Sequence, residues 1–227
     1  MNPPVKITVT SDFICPWCYI GEQRLARAVE GLPAGIDVEL LWLPFELNPD
    51  MPVGGMDRKT YRSGKFGSWE RSQALDAGTV AAGATDGIPF AYAAIARTPN
   101  TRLAHRLSLL AHRAGKQSEY AAAVLRAYFA EGKDIGDSDV LADIAAGVGL
   151  NREEVLAFLE GDEGAMEIRA LELFSQDRGI HSVPHIQIGV TTLSSAQPVD
   201  TIRTAIIDEA ARTPTAAQTD TSKGIAS

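Results

Sequence analysis

Apolar and polar residues alternate at the start of the chain. Val5, Ile7 and Val9 are separated by Lys6, Thr8 and Thr10, a period of two that predicts a half-buried strand. Leu25, Ala28, Val29 and Leu32 then recur at helical spacing until Leu32-Pro33-Ala34-Gly35 breaks the pattern. Ile36, Val38, Leu40 and Trp42 alternate next with Asp37, Glu39, Leu41 and Leu43, a second strand largely buried at its far end. Strand, helix, strand within the first 44 residues is a βαβ unit, which implies parallel strands and a right-handed crossover. Pro44 to Pro49 and Pro52 to Gly55 then leave the sheet as loop.

From about Asp57 to Arg178 the periodicity is helical. Arg58 to Gly64 and Trp69 to Ala84 read as helices, and the punctuated stretch Gly87 to Pro99 as loop. Asn100 is placed to cap a helix carrying Leu103, Leu107, Leu110 and Ala114, and Ser118 another carrying Tyr120, Val124, Tyr128 and Phe129. Ser138 begins a third. Asn151 with Glu154 resembles a capping box, and Glu163 to Gly179 reads as a long helix with Met166, Ala170 and Phe174 inward. Sheet character returns at His185 to Gly189 and Thr191 to Ser194, too close for a crossover, so the pair is an antiparallel hairpin. Pro198 opens a last helix with Val199, Ile202, Ala205 and Ile206, and the polar tail from Thr213 to Ser227 reads as disordered.

With 45% hydrophobic and 22% charged residues, the 227-residue chain reads as a soluble globular protein. A net charge of -8 argues against a nucleic-acid or anionic-membrane partner, and the scattered Lys and Arg form no basic patch. The N-terminal stretch has neither the basic nor the apolar region of a signal peptide, and no run of 18 apolar residues occurs. A cytoplasmic location is the expectation.

The candidate chemistry sits where the first strand runs into the first helix. Cys15-Pro16-Trp17-Cys18 contains the only two cysteines of the chain. Pro16 suits the first helical position, because its missing N–H has no intrahelical partner there. Cys15 is then the cap, with its sulfur near unpaired amides at a helix end that carries about half a positive charge and favours a thiolate. Residues three apart on a helix lie about 5–6 Å from one another, within the Cα separation a disulfide tolerates, so the pair can open and close with little backbone movement. Three readings compete. A zinc site lacks a second ligand pair, since His181 and His185 are distant and split by Pro184. A static bridge closing so short a loop removes little unfolded-state entropy. Two inert buried cysteines remain the third reading.

This layout resembles the DsbA-like thioredoxin-fold family over nearly the whole chain. The residues that carry the resemblance, and point to its FrnE-like branch, are Ser11 to Gly21 around Cys-Pro-Trp-Cys, Pro44-Phe45-Glu46-Leu47-Asn48-Pro49, Asn100 to Arg106, Val183-Pro184, and Ser194 to Pro198. It implies an α/β, thioredoxin-like fold made of residues 1–56 and 179–212, with an all-helical domain of residues 57–178 inserted between its second and third strands. It also implies a cis Val183-Pro184 peptide beside the disulfide, with the backbone of Val183 pairing an extended substrate segment. A trans proline opening an edge strand is the structural alternative. Thioredoxin-fold relatives often place a buried carboxylate six residues before the first cysteine, where this chain has Val9. Asp12 is the candidate replacement, with a helix-approach cap or a solvated Asp as alternatives. His185 either adds positive charge near Cys15 or is a satisfied strand histidine. His105 and His112 read as structural or surface residues.

The resemblance implies a thiol-disulfide oxidoreductase. Cys15 exchanges with protein or small-molecule disulfides, Cys18 resolves the mixed disulfide, and Pro16, Trp17, Val183 and Pro184 support the partner. No metal or bound cofactor is expected, and glutathione is a candidate reductant or co-substrate. Two rivals are a glutathione-dependent isomerase or transferase, like hydroxychromene-carboxylate isomerase or kappa-class glutathione transferases, and a non-enzymatic redox-sensitive binding module. Those isomerase and transferase relatives typically carry a lone Ser where Cys15 stands. Monomer and dimer both remain open.

Overall fold

The structure, a computed structural model, describes residues 3–212. The elements follow in the order β1 (Val5–Ser11), α1 (Pro16–Glu30), β2 (Val38–Pro44), β3 (Met56–Asp57), α2 (Arg58–Phe66), α3 (Trp69–Ala84), β4 (Arg97–Thr98), α4 (Arg102–Arg113), α5 (Gln117–Phe129), α6 (Ser138–Gly147), α7 (Arg152–Glu160), α8 (Ala165–Asp177), β5 (His185–Ile188), β6 (Thr191–Ser194) and α9 (Val199–Arg212). The tail expected to be disordered lies outside the described residues.

The main sheet has the order β2-β1-β5-β6. β1 runs parallel to β2 in the register Val5 to Val38, and antiparallel to β5, which turns back into β6. This is the mixed α/β architecture that the sequence pattern predicts, with α2 to α8 placed between the second and third strands of that sheet. α1 and α9 lie side by side, and α9 covers β1, β5 and β6. Val5, Ile7, Val9, Leu25, Ala28, Ile186, Ile188, Ile202 and Ile206 are buried in one continuous cluster. Burying a branched aliphatic side chain of that size contributes about 1.5–3 kcal/mol.

That cluster continues into the inserted helices. Tyr19 of α1 stacks on Phe129 of α5 at 5.5 Å between centroids and meets Phe90 edge-on at 5.4 Å. At the outer edge of the sheet the Gln117 amide acts as a one-residue strand. It accepts from the Trp42 backbone N–H and donates to the Trp42 carbonyl, both at 3.0 Å. Arg106, buried on α4, donates to the carbonyls of Phe158, Leu159, Gly161 and Glu163 and so closes the C-terminal end of α7.

Four local expectations are corrected. The inserted block is not wholly helical, since Met56–Asp57 pairs antiparallel with Arg97–Thr98, a ladder too short to leave an alternating pattern. Ser118 is not a cap. α5 begins one residue earlier, and the Ser118 hydroxyl accepts from the Trp42 indole at 3.2 Å. Asn100 does accept from the Arg102 N–H, but Thr101 occupies the cap position of α4. On α8 the inward face is Ile168 and Ser175, whereas Met166, Ala170 and Phe174 face solvent. α8 packs on β2 and α4 along a narrow stripe. Several stripes of an apolar-rich helix fit a period of 3.6, and contact with neighbours selects one.

Candidate active site

The site starts from a tight turn. The Cys15 N–H donates to the Asp12 carbonyl at 3.1 Å, and the Cys15 carbonyl accepts from Cys18 and Tyr19 as α1 begins. Cys15 is the N-cap and Pro16 follows inside the helix. The sulfur does not accept from the helix amides. Instead the Cys15 Sγ lies 3.6 Å from the Val183 carbonyl, within reach of an S–H···O contact. This contact joins residues 168 positions apart.

The segment holding Val183 is fixed from several directions. Its peptide bond to Pro184 is cis. Pro184 is buried against Gly21, where an added Cβ would sit 3.2 Å from the proline Cγ. The Pro184 carbonyl accepts from Ser195, and the Arg24 guanidinium holds the next residue, Ala196, by its carbonyl at 2.7 Å. Arg24 also pairs with Asp86 at 2.8 Å, so the hairpin exit, α1 and the insertion share one anchor.

Both thiols are free. Cys15 retains 5% of its surface and Cys18 1%, whereas Trp17 between them is 39% exposed. Burial, reinforced by the neighbouring Cys15, pushes the Cys18 thiol well above its ordinary value. Cys18 therefore stays protonated at neutral pH in this enclosure.

Asp12 is completely buried, which excludes the solvated reading. Its Oδ2 accepts from the Leu47 N–H at 2.8 Å and its Oδ1 lies 3.4 Å from His105 Nε2. The carboxylate therefore ties the Cys15 turn to the loop after β2 and to α4. His185 does not supply positive charge, because desolvation, and less strongly Arg178, lowers its pKa. It is a strand residue paired with Thr10 and Ser194.

The distant sequence segments converge here. The stretches around Cys15, around Leu47 and around His105 meet at Asp12, and Arg102 adds ion pairing to Glu46 at 3.1 Å. Pattern reading missed His105 as the partner of Asp12, Gly21 as the seat of Pro184, and the α2–α3 wall beside Trp17. A histidine four positions into a helix gives no local sign of what it faces. Among the described residues, no group of three His, Cys, Asp or Glu is arranged to hold a metal ion.

The fold is shared with known proteins. The model of the DSBA-like thioredoxin domain matches residues 6–207. The chain belongs to that family. It is similar to the uncharacterised protein YwbO of Bacillus subtilis, 31% identical over 206 residues, or 90% of this chain and 97% of that one. The crystal structure of a probable DsbA oxidoreductase from Streptomyces coelicolor superposes with a TM-score of 0.82 at 30% identity, over 93% of this chain and 92% of that one. A 2-hydroxychromene-2-carboxylate isomerase shares the fold at a TM-score of 0.68 and 14% identity, over 89% of this chain and 95% of that one. Among the described residues no helix is long and apolar enough to cross a membrane.

Proposed function

We propose that this member of the DSBA-like family is a thiol-disulfide oxidoreductase that works through Cys15 and Cys18 in the cytoplasm. The observation that carries the reading is the pairing of an N-cap cysteine with the carbonyl of the residue before Pro184, while the second cysteine lies one turn deeper. In the reducing direction the Cys15 thiolate attacks one sulfur of a partner disulfide. The partner's S–S bond breaks, its other sulfur leaves with the electron pair, and a mixed disulfide forms. Cys18 loses its proton, attacks the Cys15 sulfur and expels the second partner thiol. The protein ends oxidised by two electrons, and a thiol pool such as glutathione returns it to the dithiol. Trp17 and Pro16 form the lip over which the partner approaches, and the Val183 backbone aligns an extended partner beside Cys15.

The test is a pair of variants. Cys15→Ser abolishes exchange with any disulfide. Cys18→Ala stops at a mixed disulfide that mass spectrometry detects on Cys15. Exchange that survives Cys15→Ser overturns the reading. Glutathione-dependent turnover of a small electrophile by Cys18→Ala at the wild-type rate transfers the assignment to the isomerase or transferase class.

A further inference from the structure

Beside the cysteine motif, on the side of the inserted helices, lies a cavity of about 370 Å³. Ile14, Pro16 and Trp17, the residues flanking Cys15, form one side, and α2 and α3 form the other. Its lining is largely apolar, and Trp17, Leu47 and Leu75 on that lining are 39%, 37% and 46% exposed. Large side chains that burial elsewhere would cover are left open to a ligand.

The charges of the cavity oppose those of the chain. Arg62 and Lys65 line it together with one carboxylate, Asp76. Asp76 is shared between Arg62 at 2.7 Å and the buried Arg58 at 2.6 Å, so one negative charge faces two guanidinium groups. Among the described residues Lys65 pairs with no carboxylate. Its ammonium donates at 2.8 Å to the Asn48 Oδ1 and the Tyr61 hydroxyl, and Tyr61 also bonds Asn48. Three cations against one carboxylate leave a local excess of positive charge in a protein whose net charge is -8. The Asn48 Nδ2, also on this wall, is buried and has no hydrogen-bond partner among the described residues.

We infer that this cavity selects small disulfides that combine an apolar, preferably aromatic, body with a carboxylate. The inference rests on the oxidoreductase reading and names its substrate class. The body lies against Trp17, Leu47 and Leu75, the carboxylate accepts from Lys65, and the reacting sulfur faces Cys15. The bond changes are those of disulfide exchange: Cys15 forms the new S–S bond and the aromatic thiolate leaves with the electron pair.

The test compares two chromogenic aromatic disulfides, the dianionic 5,5'-dithiobis(2-nitrobenzoate) and the neutral 4,4'-dithiodipyridine. Stopped-flow absorbance follows release of the first thiol from the fully reduced full-length chain. The ratio of the two rates cancels any general change in Cys15 reactivity. Lys65→Gln lowers the anionic-to-neutral ratio by about fivefold, as expected for loss of one partly exposed charge near the ligand. Lys65→Arg restores it, and added salt lowers the wild-type ratio toward that of the Gln variant. A ratio in Lys65→Gln that stays within about threefold of wild type overturns the inference. Failure of the underlying reading looks different: both probes then react with Cys15→Ser as they do with wild type.

Discussion

The two walls flanking Cys15 are built by opposite means. On one side stands the Val183–Pro184 segment, placed by backbone: a cis peptide, a carbonyl facing the sulfur, and a proline seated on a glycine. On the other side stands the α2–α3 wall, made of long side chains such as Lys65, Arg62 and Leu75 around open volume. The backbone-built wall leaves little to vary without moving the sulfur. The side-chain wall can change by single substitutions while the chemistry stays in place. Reactivity and selectivity are thus written in different parts of the chain, the first in the sheet and α1, the second in the insertion.

The largest expected effect on the side of reactivity is the pH dependence of the resolving step by Cys18 on α1. Burial, the larger cause of the raised Cys18 value, persists once Cys15 is tied up in the mixed disulfide, so the Cys18 thiolate population at neutral pH is small and grows with pH through the ordinary 9.0 of a cysteine. Release of the second thiol from the mixed disulfide therefore accelerates by about tenfold per pH unit below that raised value, since each unit changes the thiolate fraction about tenfold. Rapid-quench measurements on a preformed Cys15 mixed disulfide check this. A flat profile between neutrality and 9.0 contradicts the enclosure of Cys18.

Asp12 joins the two walls, because it begins the Cys15 turn and holds Leu47 on the cavity side. Asp12→Ala removes the acceptor of the Leu47 N–H and leaves the buried ring nitrogen of His105 without its partner, at a cost of about 1–3 kcal/mol. Denaturant unfolding measures that loss. The variant also blunts the anionic preference, whereas Asp12→Asn, which keeps an acceptor for Leu47, retains more of both.

The smallest effect belongs to Glu22, on α1 away from the cavity. Burial raises its carboxyl pKa. A carboxyl raised on folding stabilises the fold below its unfolded value, near 4.5, and that contribution is lost as pH rises through the folded value. Glu22→Gln removes this pH-dependent loss, so the variant is more stable than wild type at neutral pH and converges with it near pH 4. Thermal melts across that range decide it, and the ratio of the two probe rates stays that of wild type.

Much of this was legible in one dimension. The alternation of Val5, Ile7 and Val9 and the placement of Pro16 set β1 and the start of α1, because a period of two and a missing N–H are local properties. The hairpin and the last helix were legible for the same reason. The inward stripe of α8 was not, since Met166, Ala170 and Phe174 fit the helical period as well as Ile168 and Ser175 do. The short β3–β4 pair left no pattern at all. At the site, the cysteine pair announces itself, but the Asp12–His105 contact spans 93 positions, and the neutrality of His185 depends on desolvation that only packing supplies. Short-range chemistry is written locally; electrostatic surroundings arise from folding.

The Gln117 amide on the rim of β2 has one more effect. By occupying both hydrogen-bonding groups of Trp42, it denies a stray strand from another molecule its foothold at the middle of that border. Fibre-like stacking through this rim is thereby discouraged, so the protein can display an oily lip at Trp17 without also offering neighbouring molecules a ready template for self-association.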